Sequence, residues 1–229
     1  GRVIRLEAKW KDRQKKGMLK LGGNWVSAAE FERKQKQSNE LVNNARDLIL
    51  IGDYKSARGL LEQASKVDLS DYRADYLLGI FNSGVSPVVR DLPRARKHFQ
   101  VALNRSPEHI SLLNNLGILD VQCGDSKAGI EKWNKSLSLS PETPEIIHNL
   151  AKLVADARAG LLPIPADVTK RAGLIYASSV SETGITADSQ SSGWLYMPLY
   201  SERPFPSENE TSELKQRTIL SGTGSGFAI

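Results

Sequence analysis

The sequence predicts a mostly α-helical fold: a solenoid of stacked helical hairpins, with a small N-terminal β-hairpin and helix as a cap and an extended C-terminal stretch. Three observations carry that prediction. The first is an internal period. G-D-Y-K-S-A-R-G-L-L-E-Q-A (52–64) and G-D-S-K-A-G-I-E-K-W-N-K-S (124–136) both open on Gly-Asp and then set small and large apolar residues at helical spacing. Ala95 and Gly129, Pro107 and Pro141, and Gly117 and Ala151 are each 34 residues apart, whereas Ala57 and Ala95 are 38 apart. The second is punctuation: glycine supplies a left-handed residue to end one helix, Asp or Ser caps the next, and proline follows where no helix can continue. The third is composition: 40% hydrophobic and 25% charged residues suit a chain with a sizeable core. No run of about 18 apolar residues is present, so no membrane-spanning helix is expected.

Residues 1–38 form a basic cap region. They hold eleven Lys or Arg against four Asp or Glu, a net +7 within a chain of +5, which leaves about −2 for the rest. A solvated helix face explains such an excess, and so does attraction to an acidic partner or nucleic acid. No nucleic-acid module pattern supports the last. Residues 3–16 are expected as a short basic helix. G-M-L-K-L-G-G-N-W-V (17–26) alternates around Gly22-Gly23 as a hairpin does. Trp10 and Trp25 are expected to pack this cap against the first hairpin. S-A-A-E (27–30) is a capping box opening a helix that contains Phe31 and runs into the first repeat.

The helical repeat region is expected over 39–178. Its first pair is Asn43–Ile51 and Tyr54–Val67, broken at Gly52-Asp53. The second is Arg73–Ser83 and Leu92–Asn104, with about four extra residues between its helices. The third is Ile110–Cys123 and Ser126–Leu139, and Pro144–Arg158 opens a fourth. P-A-D-V-T-K-R-A-G-L-I-Y-A (165–177) puts Val168, Ala172 and Ile175 on one face and caps the fourth unit. Small residues at Ala57, Ala95 and Gly129 allow close helix approach, with Phe99 and Trp133 filling space one turn later. Cys123, beside Gly124, is expected as a buried small apolar residue.

Residues 179–220 change character. S-E-T-G-I-T-A-D-S-Q-S-S-G (181–193) is a polar linker, and G-W-L-Y-M-P-L-Y-S-E-R-P-F-P (193–206) is too rich in proline for a helix and too apolar for a free tail. Its aromatics call for a surface on which to dock. The final S-G-T-G-S-G-F-A-I (221–229) lacks the Gly-Lys-Ser/Thr of a phosphate loop and fits an extended strand.

The middle of the chain resembles the tetratricopeptide repeat (TPR) family over roughly residues 40–158. The pattern W-x2-L-G-x2-Y, A-x3-F, A and P recurs at about 34 residues. Unit three matches it at Leu113, Leu116, Gly117, Gly129, Trp133, Ser136 and Pro141. Unit two matches at Leu78, Gly79, Ala95, Phe99, Ala102 and Pro107, and its longer connection resembles the Sel1-like variety. Unit one matches at Ala45, Ala57, Leu61 and Ala64 and lacks the proline.

The resemblance implies a protein-interaction module, and it implies where ligand would lie. With Ala45, Gly79, Gly117 and Ala151 taken as the eighth position of each first helix, the family's ligand-facing positions 2, 5, 6, 9 and 12–13 can be assigned. The sixth position is Asn43, Leu77, Asn115 and Asn149. In some relatives an asparagine ladder there clamps an extended peptide, since an amide both donates and accepts. Bonding between neighbouring helices is the other role open to these asparagines. Asn39, Arg46, Arg73, Tyr76, Asn114, His148 and Lys152 would lie beside them, and Arg46, Arg73 and Lys152 would favour a peptide with acidic or carboxylate groups. The carboxylate-clamp residue order of chaperone-binding relatives is not reproduced. A second reading fills the groove with the chain's own 193–206 segment as an internal regulatory or structural element.

The last residues resemble the opening strand of trypsin-like serine peptidases of the HtrA type, through Gly222, Gly224, Gly226, Phe227 and Ile229. That implies a module preceding a peptidase, in the cell envelope or another extracytoplasmic setting, with the catalytic residues after Ile229; without the peptidase the expected setting is cytoplasmic. The chain itself offers no Ser-His-Asp set, since His98, His109 and His148 fall on repeat elements with no G-x-S-x-G nearby. It is therefore expected to be no enzyme. No cofactor is expected, and one cysteine with scattered histidines predicts no metal site.

Overall fold

The structure, a computed structural model, describes residues 11–13, 15–21, 24–85, 90–187, 193–197 and 220–221. These fall into two compact units, the first ending at Asp75 and the second beginning at Tyr76.

In the first unit, residues 11–13 and 15 are helical; the remainder of the expected basic helix, and Trp10, lie outside the described residues. Strands β1 (Leu19–Leu21) and β2 (Asn24–Val26) pair antiparallel, with Lys20 opposite Trp25, as the alternation predicts. Leu21 and Val26 turn one face of this hairpin inward. On the other face Trp25 lies under the Arg13 guanidinium, 5.7 Å from its ring centroid. The N-cap half of the expected capping box forms: Ser27 Oγ accepts from the Glu30 amide at 3.1 Å and opens α1 (Ala28–Leu50), while the Glu30 carboxylate lies 3.5 Å from Lys34. This helix is continuous from the cap into the repeat and does not begin afresh at Asn43. It packs on α2 (Tyr54–Val67), with Val42, Ala45 and Ile49 buried on one helix and Ala57, Leu61 and Ala64 on the other. Gly52, at φ 83°, turns the chain between them, and Asp53 caps α2 by accepting from the Ser56 amide.

Helix α3 (Arg73–Ile80) runs into a π turn at Phe81–Val85. There Asn82 Nδ2 donates to Leu78 O and Ser83 Oγ to Ile80 O, so side chains serve carbonyls that a regular helix would pair with amides. The extra residues of the second hairpin follow this turn, and positions 86–89 lie outside the described residues. Then follow α4 (Leu92–Arg105), α5 (Ile110–Gln122), α6 (Ser126–Leu139), α7 (Pro144–Arg158) and α8 (Ala166–Thr183). Asp91 and Asp125 cap α4 and α6, each accepting from the amide three residues on. Helix α8 exceeds its expected end at Ala177. The hydroxyls of Ser179 and Thr183 fold back on Ile175 O and Ser179 O, and Gly184 at φ 71° ends it.

The second unit is held together by glycine–aromatic crossings. A Cβ on Gly79 would sit 2.8 Å from the Phe99 ring, and one on Gly117 2.6 Å from Trp133 Nε1. From the facing helix, a Cβ on Gly129 would lie 2.7 Å from Gly117 O. Glycine inside a helix costs about 1 kcal/mol against alanine. Here it allows two backbones to meet and one aromatic per hairpin to be wholly buried. A buried carboxylate adds a polar link across three helices: Asp120 on α5 receives Arg96 of α4 at 2.6 Å and Lys132 of α6 at 2.5 Å. This partnership holds the Arg96 guanidinium above its usual pKa, chiefly through its hydrogen bond to Asp120.

Cys123 is exposed, against expectation. It sits at the C-cap of α5, just before Gly124 at φ 91°, and so leaves the packed face of the helix with the turning chain.

Gly129→Leu should lower stability by about 1–3 kcal/mol through overpacking against Gly117 and Val121. A denaturant titration giving an unchanged midpoint would contradict the crossing. Gly129→Ala should fall between the two, because the Gly117 carbonyl belongs to a backbone that cannot swing aside.

Candidate functional site

The first helices of the third and fourth hairpins, α5 and α7, carry β3 (Leu195–Tyr196) on one face. The contact is built from asparagine amides. Asn149 Oδ1 accepts from the Leu195 amide at 2.8 Å and its Nδ2 donates to Leu195 O at 2.9 Å. Asn115 repeats the arrangement on Met197: Oδ1 accepts from its amide at 2.8 Å and Nδ2 donates to its carbonyl at 2.9 Å. Asn115 and Asn149 are one repeat apart, 34 residues. Leu195 and Met197 are two residues apart, the interval at which an extended chain presents the same edge again.

Every amide group in the ladder is used. Asn114 Nδ2 also donates to Leu195 O at 2.8 Å, and its Oδ1 accepts from Asn149 Nδ2 at 2.9 Å. The Tyr76 hydroxyl donates to Met197 O and accepts from Asn115 Nδ2. All three asparagines are buried, and their mutual satisfaction fixes each amide in one orientation. His148 meets Gly193 O through Nε2 at 2.9 Å; a carbonyl only accepts, so Nε2 carries the proton. The other edge of β3 pairs antiparallel with β4 (Leu220–Ser221), Tyr196 opposite Leu220.

Two side chains of the docked strand are sunk beside this ladder. Trp194 stacks on Trp133 with centroids 6.0 Å apart and planes inclined at 28°. Lys152 Nζ lies 5.3 Å over the Trp194 ring and is itself paired with Asp156 at 2.9 Å. Tyr196 is buried, and its hydroxyl donates to Gln122 Oε1 at 3.2 Å. Burial pushes the Tyr196 phenol well above the usual tyrosine range.

Of the residues expected at the binding surface, Tyr76, Asn114, Asn115, His148, Asn149 and Lys152 come together around residues 193–197. The other four lie in the first unit. Asn39 accepts from Arg73, whose guanidinium is also gripped by Asp71 at 2.7 and 2.9 Å. Asp71 is thereby held below the usual carboxylate range: burial raises its pKa, and the bonds from Arg73 and Ser38 outweigh that. Asn43 is exposed and Arg46 half-buried. Arg73 and Lys152, two of the three cations expected to meet a carboxylate on a ligand, thus already hold carboxylates of this chain. Gln122 and Trp133 add to the expected contacts, while Trp194 belongs to the 193–206 segment that the second reading places in the groove. Gln122 was within reach of sequence reasoning, at the thirteenth position of its helix, whereas Trp133 had been assigned to the core alone.

No protein-family model matches the chain. Among curated proteins it is similar to the BBSome complex member BBS4 of Xenopus tropicalis, 28% identical over 110 residues, which is 48% of this chain and 20% of that protein. The Mus musculus protein of the same name is 25% identical over 141 residues, 59% of this chain and 26% of that protein. The chain therefore spans about a fifth to a quarter of the length of these relatives. Two crystal structures of MamA superpose with a TM-score of 0.50 at 18% and 16% identity. The match covers 67% and 76% of this chain and 86% and 82% of those. The fold is a TPR-like α-solenoid of helical hairpins. A trypsin-like peptidase domain finds no support in these relatives, and Gly222, Gly224, Gly226, Phe227 and Ile229 lie outside the described residues.

Asn149→Ala should raise hydrogen exchange at the Leu195 amide by about tenfold or more, since it strips two bonds from a half-buried peptide unit. Met197, held by Asn115, should respond less. Alkaline pH should release the strand. The phenol is neutral when docked and ionises near pH 10 when free, so the free state binds fewer protons and docking weakens as pH rises above about 10. Tyr196→Phe should abolish that loss of protection, read as the Leu195 exchange rate relative to the same amide in an unstructured peptide at each pH.

Proposed function

We propose that the second unit is a protein-binding module that takes an extended polypeptide segment along the asparagine-lined face of α5 and α7, and that residues 193–197 occupy this face when no partner is engaged. The observation that supports it is the pair of amide clamps, Asn149 on Leu195 and Asn115 on Met197. Each reads only main-chain N–H and C=O, groups that any extended segment offers. The curated relatives point the same way, since BBS4 is described as a member of a complex. In this reading the face binds and does no chemistry: its amides, the Tyr76 hydroxyl and the His148 ring are all turned on main-chain groups of the strand.

The burial of Trp194, Tyr196 and Met197 favours a second reading, in which the strand is a permanent part of the fold and the face never opens. Truncation after Gly184, where α8 ends, separates the two. Isothermal titration with a peptide of residues 193–206 should show binding to the shortened chain and far weaker binding to the intact one. Equal binding to both would mean an open face; saturating peptide that speeds exchange at the Leu195 amide of the intact chain would show the strand to be displaceable, and an unmoved rate would leave the permanent strand. Placement of this module ahead of a serine peptidase is a separate proposal resting on Gly222 to Ile229. A histidine-bearing strand and a G-x-S-x-G in the coding sequence after Ile229 would support it, and their absence would end it.

A further inference from the structure

We infer that this groove selects its occupant by side chain as well as by main chain, and that it takes a segment of pattern Trp-x-Tyr-apolar running from the fourth hairpin towards the second. The inference rests on the proposed peptide-binding reading and names the class of ligand.

The direction follows from the clamps. Gly193 meets His148 and Leu195 meets Asn149, both on α7. Met197 meets Asn115 on α5 and Tyr76 on α3. The bound segment thus runs opposite to the order of the hairpins. Both ends of its polarity are fixed, because each amide offers its oxygen to an N–H and its nitrogen to a C=O.

The composition follows from two subsites. The first is lined by the Trp133 indole and the Lys152 ammonium. An electron-rich ring that stacks on one and faces the other is best supplied by tryptophan. Trp133 cannot move to accommodate another shape, since its indole nitrogen donates to Asn114 O at 3.2 Å and fills the space left by Gly117. The second subsite buries the Tyr196 ring and ends on Gln122 Oε1. Phenylalanine there would leave that acceptor without its donor, and an acidic residue would carry a charge into a dry site. The residue between them, Leu195, is half-buried and used through its backbone, so it is free to vary. Met197 is buried and calls for an apolar side chain.

The test has two arms, both on the full chain. In the first, amide exchange at Leu195 is followed in Trp194→Ala, Tyr196→Ala and Leu195→Ala. Trp194→Ala and Tyr196→Ala should each accelerate it by about tenfold, and Leu195→Ala by less than about threefold. Equal effects of all three would overturn the selectivity. Lys152→Met should weaken docking of the Trp194 chain more than that of the Trp194→Ala chain; identical losses would remove Lys152 from the subsite. In the second arm the Trp194→Ala chain is titrated with labelled G-W-L-Y-M, G-A-L-Y-M and G-W-L-A-M peptides, read by fluorescence anisotropy. The first should bind about tenfold tighter than the others. Equal binding by all three would overturn the selectivity and leave the binding module standing. No binding by any would overturn the binding module, with the selectivity of the internal strand then decided by the first arm.

Discussion

The close approach of α5 and α6 at Gly117 and Gly129 is the constraint on which the second unit depends. With no side chain on either residue, the Gly117 carbonyl comes within contact of the facing backbone. The space on the other side of Gly117 is then taken by Trp133, which is wholly buried and bonded to Asn114 O. One packing event thereby fixes three things: the crossing of the hairpin, the backbone carrying Asn114 and Asn115, and the indole against which Trp194 stacks. Core and site share these residues. The same logic recurs one hairpin earlier, where Phe99 fills the space at Gly79 and meets Tyr76 edge-on at 5.4 Å. Tyr76 in turn reaches Met197.

A buried asparagine is expensive unless all of its hydrogen-bonding groups are used. Asn114, Asn115 and Asn149 meet that demand jointly, through one another, Tyr76 and the main chain of residues 195 and 197. If the strand left without replacement by water or a partner, the amides and the strand would both lose partners. The interaction therefore exerts a pull towards an occupied groove. That pull acts on main-chain groups and is indifferent to sequence. In the proposed peptide-binding role, the aromatic subsites beside it would add discrimination among segments.

Much of this was legible in advance. The hairpin boundaries followed from glycine, aspartate and proline punctuation, because caps and stops act locally and need no tertiary partner. Tyr54–Val67, Ser126–Leu139 and Pro144–Arg158 formed over the expected spans. The α1 helix runs unbroken from Ala28 into the first repeat, as expected, because nothing between the capping box and Gly52 stops it. The departures lie where local signals are weak or absent. Helix α8 outlasts its expected end because no stop signal precedes Gly184, whose left-handed φ of 71° ends it. Cys123 turns outward because the position just before a left-handed glycine leaves the packed face.

By itself, the sequence determined the repeat, the close approach at Gly129, and a recurrent asparagine at one helical position. These depend on short-range periodicity and on residue size, both written along the chain. Only the tertiary structure decided which asparagines act together. Asn43 has the right position in its repeat and is exposed, whereas Asn114, off the ladder by one residue, bonds the strand. It also decided that Trp133 serves the core and the groove at once, and that Trp194 reaches Trp133, and Tyr196 reaches Gln122, from more than sixty residues away. Contacts of that span depend on how hairpins stack, and no local pattern encodes the stacking.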